Sequence, residues 1–312
     1  MRVLVTGGAG FIGSHLTERL LARGDDVLVI DNYATGRRDT LAAHPRLIVV
    51  EGSVADPVVV DGAFARFQPQ VVVHAAASYK DPDDWAEDTR TNVTGTAIVA
   101  KAARTAGVSR LIYLQTALCY GLQPLEQPIT LGHPLRPEGS SYAVSKTAGE
   151  HYIRLSGVDW ISFRLANAYG PRNLSGPLPT FYQRLTAGKP CFVMDTRRDF
   201  MFIDDLIEAI VPAIDGRGRS GPYHVSSGSD VAISALFDAV VGALGITLPA
   251  PVDVRPRQPG DAFTILLDPS ETERDLGWRA RTPLATGVAA AVEWYRRYGV
   301  EHAYTHLDMP RK

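Results

Sequence analysis

Cysteine is nearly absent: Cys119 and Cys191 are the only two among 312 residues. Two isolated thiols build neither a disulfide framework nor a thiolate metal cluster, so no metal is expected and the composition points to a reducing cytoplasm. A basic excess is also missing. With 32 Lys and Arg against 34 Asp and Glu, the formal net charge of -2 offers no cationic face to nucleic acid. No apolar run approaches the about 20 residues that span a bilayer, so no membrane partner is expected. Met1-Arg2 runs straight into Val3-Leu4-Val5, and the expectation is a protein without a signal peptide. Internal repeats and low-complexity tracts are lacking as well. What is present is a chain 45% hydrophobic and 21% charged, enough for one large domain or two unequal ones.

Short apolar runs alternate with longer amphipathic stretches through the first half. Val3-Val5, Val27-Ile30, Leu47-Val50, Val71-His74 and Leu111-Gln115 read as strands, and their unbroken hydrophobicity implies cover on both faces. Helices are expected over Ser14 to Arg23, closed by Gly24, and over Trp85 to Ala106, closed by Gly107. This is the pattern of a Rossmann-type α/β fold, a doubly wound parallel sheet, over residues 1–168. From about Tyr169 glycine and proline break the chain repeatedly, with helical patches near Leu178-Ala187, Asp204-Ile214, Ile233-Leu244 and Thr286-Tyr298. Residues 169–312 are expected to form mainly a smaller substrate-binding lobe, some segments of which return to the first domain. A pocket between lobe and sheet is the default consequence.

Gly7, Gly10 and Gly13 follow the first strand and open a helix, where missing side chains let backbone approach a pyrophosphate at a helix N-terminus. Asp31 ends the second strand, placed to accept hydrogen bonds from an adenosine ribose and to repel a 2′-phosphate, so NAD is favoured over NADP. Arg37 and Arg38 lie past that turn and read as a solvated pair. Asp56 reads as a helix cap, leaving Ser53 and Val54 as adenine neighbours. After the fourth strand, His74, Ala75, Ala76 and Ala77 supply a small-residue wall beside the cofactor, with His74 itself packed rather than catalytic.

Tyr142 and Lys146 stand four residues apart on one helix face, so the ammonium is placed to favour the phenolate. Both groups titrate near pH ~10 when unperturbed, and a base at neutral pH needs the phenol lowered by several units. Thr116 ends the fifth strand and delivers a hydroxyl to the same sheet edge. Cys119 reads as a small buried hydrophobe.

With the Gly turn, Asp31-Asn32, Asn92 in Asn92-Val93-Thr94-Gly95-Thr96, Thr116 five residues before Gly121, Tyr142/Lys146 and Arg164-Leu165-Ala166-Asn167, the chain resembles the extended short-chain dehydrogenases/reductases of the nucleotide-sugar epimerase/dehydratase type. The match runs from Met1 to about Tyr298. The resemblance implies Thr116, Tyr142 and Lys146 as the catalytic set. It implies NAD held by Gly7, Gly10, Phe11, Ile12, Gly13, Asp31, Asn32, Tyr33, Thr35, Gly36, Ser53, Val54, His74 to Ala77, Asn92 and the catalytic residues. A nucleotide diphosphate is implied on the lobe, met by Asn167, Leu178 in Gly176-Pro177-Leu178, Arg198, Arg257 and Asp261, with Lys80 nearby; Arg255 competes with Arg257, whose spacing from the family's Arg-x-Gly-Asp is shifted by one residue. Ser53 stands where many relatives carry aspartate. Lys80 and Arg172 are candidates for meeting a sugar carboxylate.

Family members start by oxidising C4 of the sugar to a ketone. Dehydratases of this type carry an Asp-Glu pair directly after the threonine, whereas this chain has Ala117 and Leu118. The expectation is therefore an NAD-dependent UDP-sugar 4-epimerase, an isomerase; by analogy with relatives, the resemblance implies a homodimer through helices near Trp85-Ala106 and Tyr142-Ser156. Dehydration or decarboxylation of the same 4-keto sugar by a differently placed acid is the alternative, and a non-catalytic NAD-binding scaffold a remote one.

Overall fold

The computed structural model describes residues 1–79, 81–257, 260–300 and 303. Strands β1 (Arg2–Thr6), β2 (Asp26–Asp31), β3 (Leu47–Glu51), β4 (Val71–His74), β5 (Arg110–Thr116) and β6 (Trp160–Leu165) come from the first half. The short strands β7 (Asn167–Tyr169), β8 (Phe192–Met194), β9 (Arg197–Arg198) and β10 (Phe200–Phe202) follow, then β11 (Gly221–Val225), β12 (Val231–Ala232) and β13 (Asp253–Arg255). Seven strands form one sheet in the order β11-β6-β5-β4-β1-β2-β3, and every pairing is parallel. The order reverses between β1 and β4, which makes the crevice beyond their carboxyl ends the place for a ligand.

Helices α1 (Phe11–Arg23), α2 (Pro57–Phe67), α3 (Trp85–Asp88), α4 (Thr96–Thr105) and α5 (Ser141–Leu155) belong to the first half. The second half adds α6 (Pro177–Thr186), α7 (Ile203–Ile214), α8 (Ile233–Leu244), α9 (Ser270–Leu276) and α10 (Leu284–Tyr298). A seven-residue π-helical stretch, Thr89–Gly95, joins α3 to α4, so the helix expected over Trp85 to Ala106 changes its winding next to the crevice. Gly95 tolerates this close packing because a side chain there would meet Val54 at 2.7 Å.

The sheet's two faces carry separate cores. Val3, Val5, Val27, Val29, Ile112 and Phe163 pack with Leu16 and Leu20 of α1 and Ile207 and Ile210 of α7, whereas Leu4, Leu28, Val72 and Leu111 pack with Phe64 of α2 and Val99 and Ala103 of α4. Alternation along each strand sends neighbours to opposite faces, and burial of both faces accounts for the unbroken valine-rich runs. No described helix is long and apolar enough to cross a membrane.

Polar groups inside this core set the pH dependence of stability. Burial, helped by the charge of Lys146, pushes the His74 imidazole from 6.5 down to about 3, and burial pushes His224 down to about 4 against the Asp268 carbonyl that supports its charge. Burial lifts Asp199 from 3.8 to about 6, opposed by donors from Ser226 and Ser227. Between pH ~6.5 and ~4 the unfolded chain therefore binds two imidazole protons that the folded state refuses, while folded Asp199 keeps one that the unfolded carboxylate releases. Among these three groups the balance is one proton in favour of unfolding, while raised Asp31 and lowered His15 act in opposite directions. Stability is expected to fall with acidification across that window by up to about 1.4 kcal/mol per pH unit. Melting temperatures taken stepwise over the window check this, and a flat or rising series contradicts it.

Candidate functional site

A cavity of ≈ 920 Å³ opens along the carboxyl edge of the sheet and extends under the second-half lobe. Its nucleotide end is built by backbone. Gly7 has φ +66, and a Cβ there would meet Ala76 Cα at 2.8 Å, while a Cβ on Gly13 would lie 2.1 Å from Gly7 O. Only glycine allows this turn to close against the next strand's loop. Gly10 caps α1 without a side-chain hydrogen bond, so the first turn presents backbone N–H groups to an anion. Asp31 is buried at the end of β2 and accepts from Ala9 N and Tyr33 N, both at 2.8 Å. Burial raises its carboxyl above the usual range, with the N–H groups of Tyr33, Ala9 and Gly10 working against it. The small cradle, the uncapped helix start and the acid at the second strand fit a dinucleotide with a free ribose hydroxyl.

At the reacting end Thr116 closes β5, and its Oγ1 accepts from Leu118 N at 3.2 Å, which leaves the hydroxyl proton to donate into the cavity. Tyr142 enters from the first turn of α5, where Ser140 caps the helix by accepting from Ala143 N at 3.0 Å. Its half-buried ring meets Tyr79 edge-on with centroids 6.4 Å apart. The expected electrostatics of the pair are reversed here. Burial raises the Tyr142 phenol, with Tyr79 and Asp88 adding to the shift, whereas burial lowers Lys146 to about 7, with Glu150 opposing. The ammonium lies over the Tyr113 ring, 4.0 Å from its centroid, and no described hydrogen bond joins it to Tyr142. The Lys146 carbonyl meanwhile accepts from Tyr113 OH at 3.1 Å and Gln115 Nε2 at 3.0 Å, which fastens α5 to β5.

Of the residues singled out from the sequence, Gly7, Gly10, Phe11, Ile12, Gly13, Asp31, Asn32, Thr35, Ser53, Val54, Ala75, Ala76, Ala77, Thr116, Tyr142, Asn167, Leu178, Arg198 and Asp261 line this one cavity. Others do not reach it. His74 is fully buried between hydroxyls, Nδ1 at 2.6 Å from Thr6 Oγ1 and Nε2 at 2.9 Å from Thr96 Oγ1, so it ties β1 and β4 to α4. Asn92 acts behind the wall: Nδ2 donates to Ser78 O at 2.9 Å and Ser145 Oγ at 3.0 Å, and Oδ1 accepts from Ser78 N at 2.8 Å. Gly36 supports Asp31, since a Cβ there would come within 3.0 Å of Asp31 Oδ1. Tyr33 has φ 57 and lies under the Arg38 guanidinium. Lys146 stays one layer behind Tyr142, buried at 1% exposure.

Arg198 is the cation on the lobe side. Burial lowers its pKa, Asp261 opposes, and among the described residues no carboxylate forms an ion pair with it. A desolvated guanidinium without a counter-ion suits a diphosphate. Arg257 is exposed, outside the wall, with Nη1 donating to Asp261 O at 3.3 Å, and Arg255 pairs with Asp253 over the Phe192 ring. Arg172 is turned toward α1 by bonds to Ser14 and Glu18. Lys80 lies outside the described residues. Tyr79, Asp88, Thr91, Asn173 and Ser175 also line the cavity and were missed from the sequence; Tyr79 stands two residues past the Ala75-Ala77 run, after Ser78, which is the signal that could have found it.

A glycine cradle, a buried acid at the end of the second strand and a Thr-Tyr-Lys set at one sheet edge are the features of an NAD-binding α/β enzyme. The pattern of the NAD dependent epimerase/dehydratase family matches residues 3–225, and the chain belongs to that family. Its cofactor is NAD. The UDP-glucose 4-epimerase of Mycolicibacterium smegmatis is 35% identical over 314 residues, covering 95% of this chain and 99% of the relative. The Bordetella bronchiseptica enzyme WbmH in complex with NAD+ superposes with a TM-score of 0.93 at 55% identity over 96% of this chain and 99% of its own. WbmG of the same organism, in complex with NAD and UDP, gives 0.91 at 47% identity over 99% of both chains.

Proposed function

We propose that the protein is a UDP-sugar 4-epimerase that oxidises C4 of its substrate transiently and returns hydride to the opposite face. Bound NAD supplies the reversible hydride acceptor. Gly7, Gly10 and Gly13 would hold its pyrophosphate, Asp31 its adenosine ribose, and Arg198 with Asn167 the substrate diphosphate. Tyr142 takes the proton from the C4 hydroxyl and gives it back, Thr116 holds the same oxygen by a hydrogen bond, and Lys146 supports the phenolate from behind. UDP rather than another nucleotide is supported by the solved WbmG complex.

The observation that carries the reading is the wall after Thr116. Ala117 and Leu118 line the cavity there and offer no acid-base pair. Asp88 does lie close enough to bias Tyr142, but elimination needs a second acid, and neighbouring Glu87 is tied to Arg90 and to Thr91 Oγ1. Without elimination, a 4-keto sugar that has no carboxylate to lose takes hydride back. The deciding experiment incubates the protein with a panel of UDP- and dTDP-sugars, including hexuronates and N-acetylated hexoses, followed by product mass and NMR at C4. The expected product has unchanged mass and inverted C4. Loss of water or carbon dioxide would replace epimerisation by dehydration or decarboxylation.

We read the assembly as a homodimer through α3 and α5. Val144, Tyr152 and Leu155 are exposed at 51%, 44% and 73% along one stripe of α5, and Trp85 at 67% begins α3. Apolar side chains at this spacing on a polar surface mark an interface. Leu155→Arg is expected to give a monomer with NAD still bound; light scattering that shows an unchanged mass, or a monomer before substitution, rejects the interface.

A further inference from the structure

Asp88 ends α3 in the cavity wall and is buried, 1% exposed. Neither of its carboxylate oxygens has a hydrogen-bond partner. Buried polar groups are almost always satisfied, and an unpaired carboxylate costs far more than an unpaired hydroxyl. The donors around it are committed elsewhere. Arg90 pairs with Glu87, Thr91 Oγ1 donates to Glu87, and Asn92 Nδ2 serves Ser78 and Ser145. Ser145 Oγ donates to the Tyr142 carbonyl at 3.0 Å. The π-helical stretch begins at the next residue, and such wide turns recur where a helix must aim a side chain into a site. The chain thus supplies a cation within the same turn and gives it to Glu87, leaving Asp88 facing the cavity beside Tyr142.

We propose that Asp88 is a ligand-binding residue whose carboxylate accepts hydrogen bonds from hydroxyl or amide N–H groups of the molecule bound next to Tyr142. The inference rests on reading the cavity as a site for NAD and a nucleotide sugar, and two hydroxyl-bearing pieces come into question: the hexose and the nicotinamide ribose. A phosphate or sugar carboxylate is repelled at this point, so the anionic parts of both ligands belong nearer to α1 and Arg198. The charge also opposes ionisation of Tyr142 until a donor covers it, which couples occupation of the wall to the readiness of the base.

The test uses Asp88→Asn and Asp88→Ala in the NAD-loaded protein. Three quantities are read: NAD content and affinity, calorimetric affinity for UDP against UDP-glucose and UDP-N-acetylglucosamine, and melting temperature. A charge-assisted hydrogen bond of this kind is expected to be worth about tenfold in affinity. If the hexose is the donor, both variants lose about tenfold for the UDP-sugars, with UDP and NAD unchanged. If the ribose is the donor, NAD affinity falls about tenfold and UDP is unchanged. In either case the ligand-free melting temperature stays level or rises, because an unpaired buried charge has been removed. Unaltered affinities for all four ligands, or a lower melting temperature in both variants, overturns the proposal. Failure of the unmodified protein to bind UDP or NAD overturns the functional reading and this inference with it, an outcome distinct from variants that merely match the parent.

Discussion

Tyr142→Phe is expected to lower kcat on the order of 10³-fold or more while NAD stays bound and the affinity for UDP is unchanged. The substitution removes one oxygen and keeps the ring that packs edge-on against Tyr79, so the cavity wall survives. What is lost is the group that exchanges a proton with the C4 hydroxyl, and Thr116 cannot replace it because a threonine hydroxyl has no accessible anion near neutral pH. The size of the effect follows from how little the ligand-free protein does to prepare this base. Burial raises the phenol and holds Lys146 at about 7 over the Tyr113 ring. Activation would therefore come with the ligands, bound NAD supplying a cationic nicotinamide ring that favours the phenolate. NAD content after gel filtration and UDP calorimetry separate chemistry from binding. A variant that turns over within tenfold of the parent removes Tyr142 from the mechanism.

The legible part of this fold was the part where physics leaves a periodic trace. The strands β1, β2, β4 and β5 are buried on both faces, and their valine-rich runs cannot be mistaken for surface; β3, read the same way from Leu47-Val50, is the edge strand and leaves Val49 41% exposed. The strand β6 escaped because Ser162 and Arg164 interrupt its apolar run; both are buried, satisfied by Glu150, and that partner is known only once α5 is folded onto the sheet. Strand β11 carries Pro222 and begins at Gly221, residues that argue against a strand, yet it is an edge strand, where a missing N–H is tolerated. The nucleotide end of the site was legible because glycine spacing and a strand-ending acid are local signals. Asp88 was not, since a charged residue within an expected helix reads as solvated until tertiary packing buries it. For the same reason His74 was placed beside the cofactor from its neighbours, Ala75 to Ala77, while its ring turns inward to Thr6 and Thr96. Arg257 followed from the family's spacing, and the one-residue shift leaves it exposed outside the cavity wall.

The second large effect concerns stability and lies directly behind the base. Glu150, one turn after Lys146, pairs with Arg164 of β6 at 2.5 Å, and both are at least nine-tenths buried. Ser162 Oγ donates to the same carboxylate at 2.5 Å, and Arg164 Nη1 donates to Tyr120 OH at 2.7 Å. Tyr120 OH lies 2.6 Å from His224 Nε2, so the network runs from α5 through β6 to β11. Glu150→Ala leaves a guanidinium buried with no counter-charge, and the expected cost is about 3–5 kcal/mol, a drop in melting temperature on the order of 10 °C. Attraction between the pair barely exceeds the penalty of drying both ions, so replacing them together should be mild: Glu150→Leu with Arg164→Met is expected to recover most of the loss. Thermal unfolding of the single and double variants measures this. A single-variant loss below about 1 kcal/mol, or a double variant no better than the single, would falsify the account. Activity supplies an independent reading. Glu150 also favours the charged form of Lys146, so a double variant restored in stability should remain impaired in turnover, because the apolar pair fixes α5 to the sheet but no longer holds the proton that supports the Tyr142 phenolate.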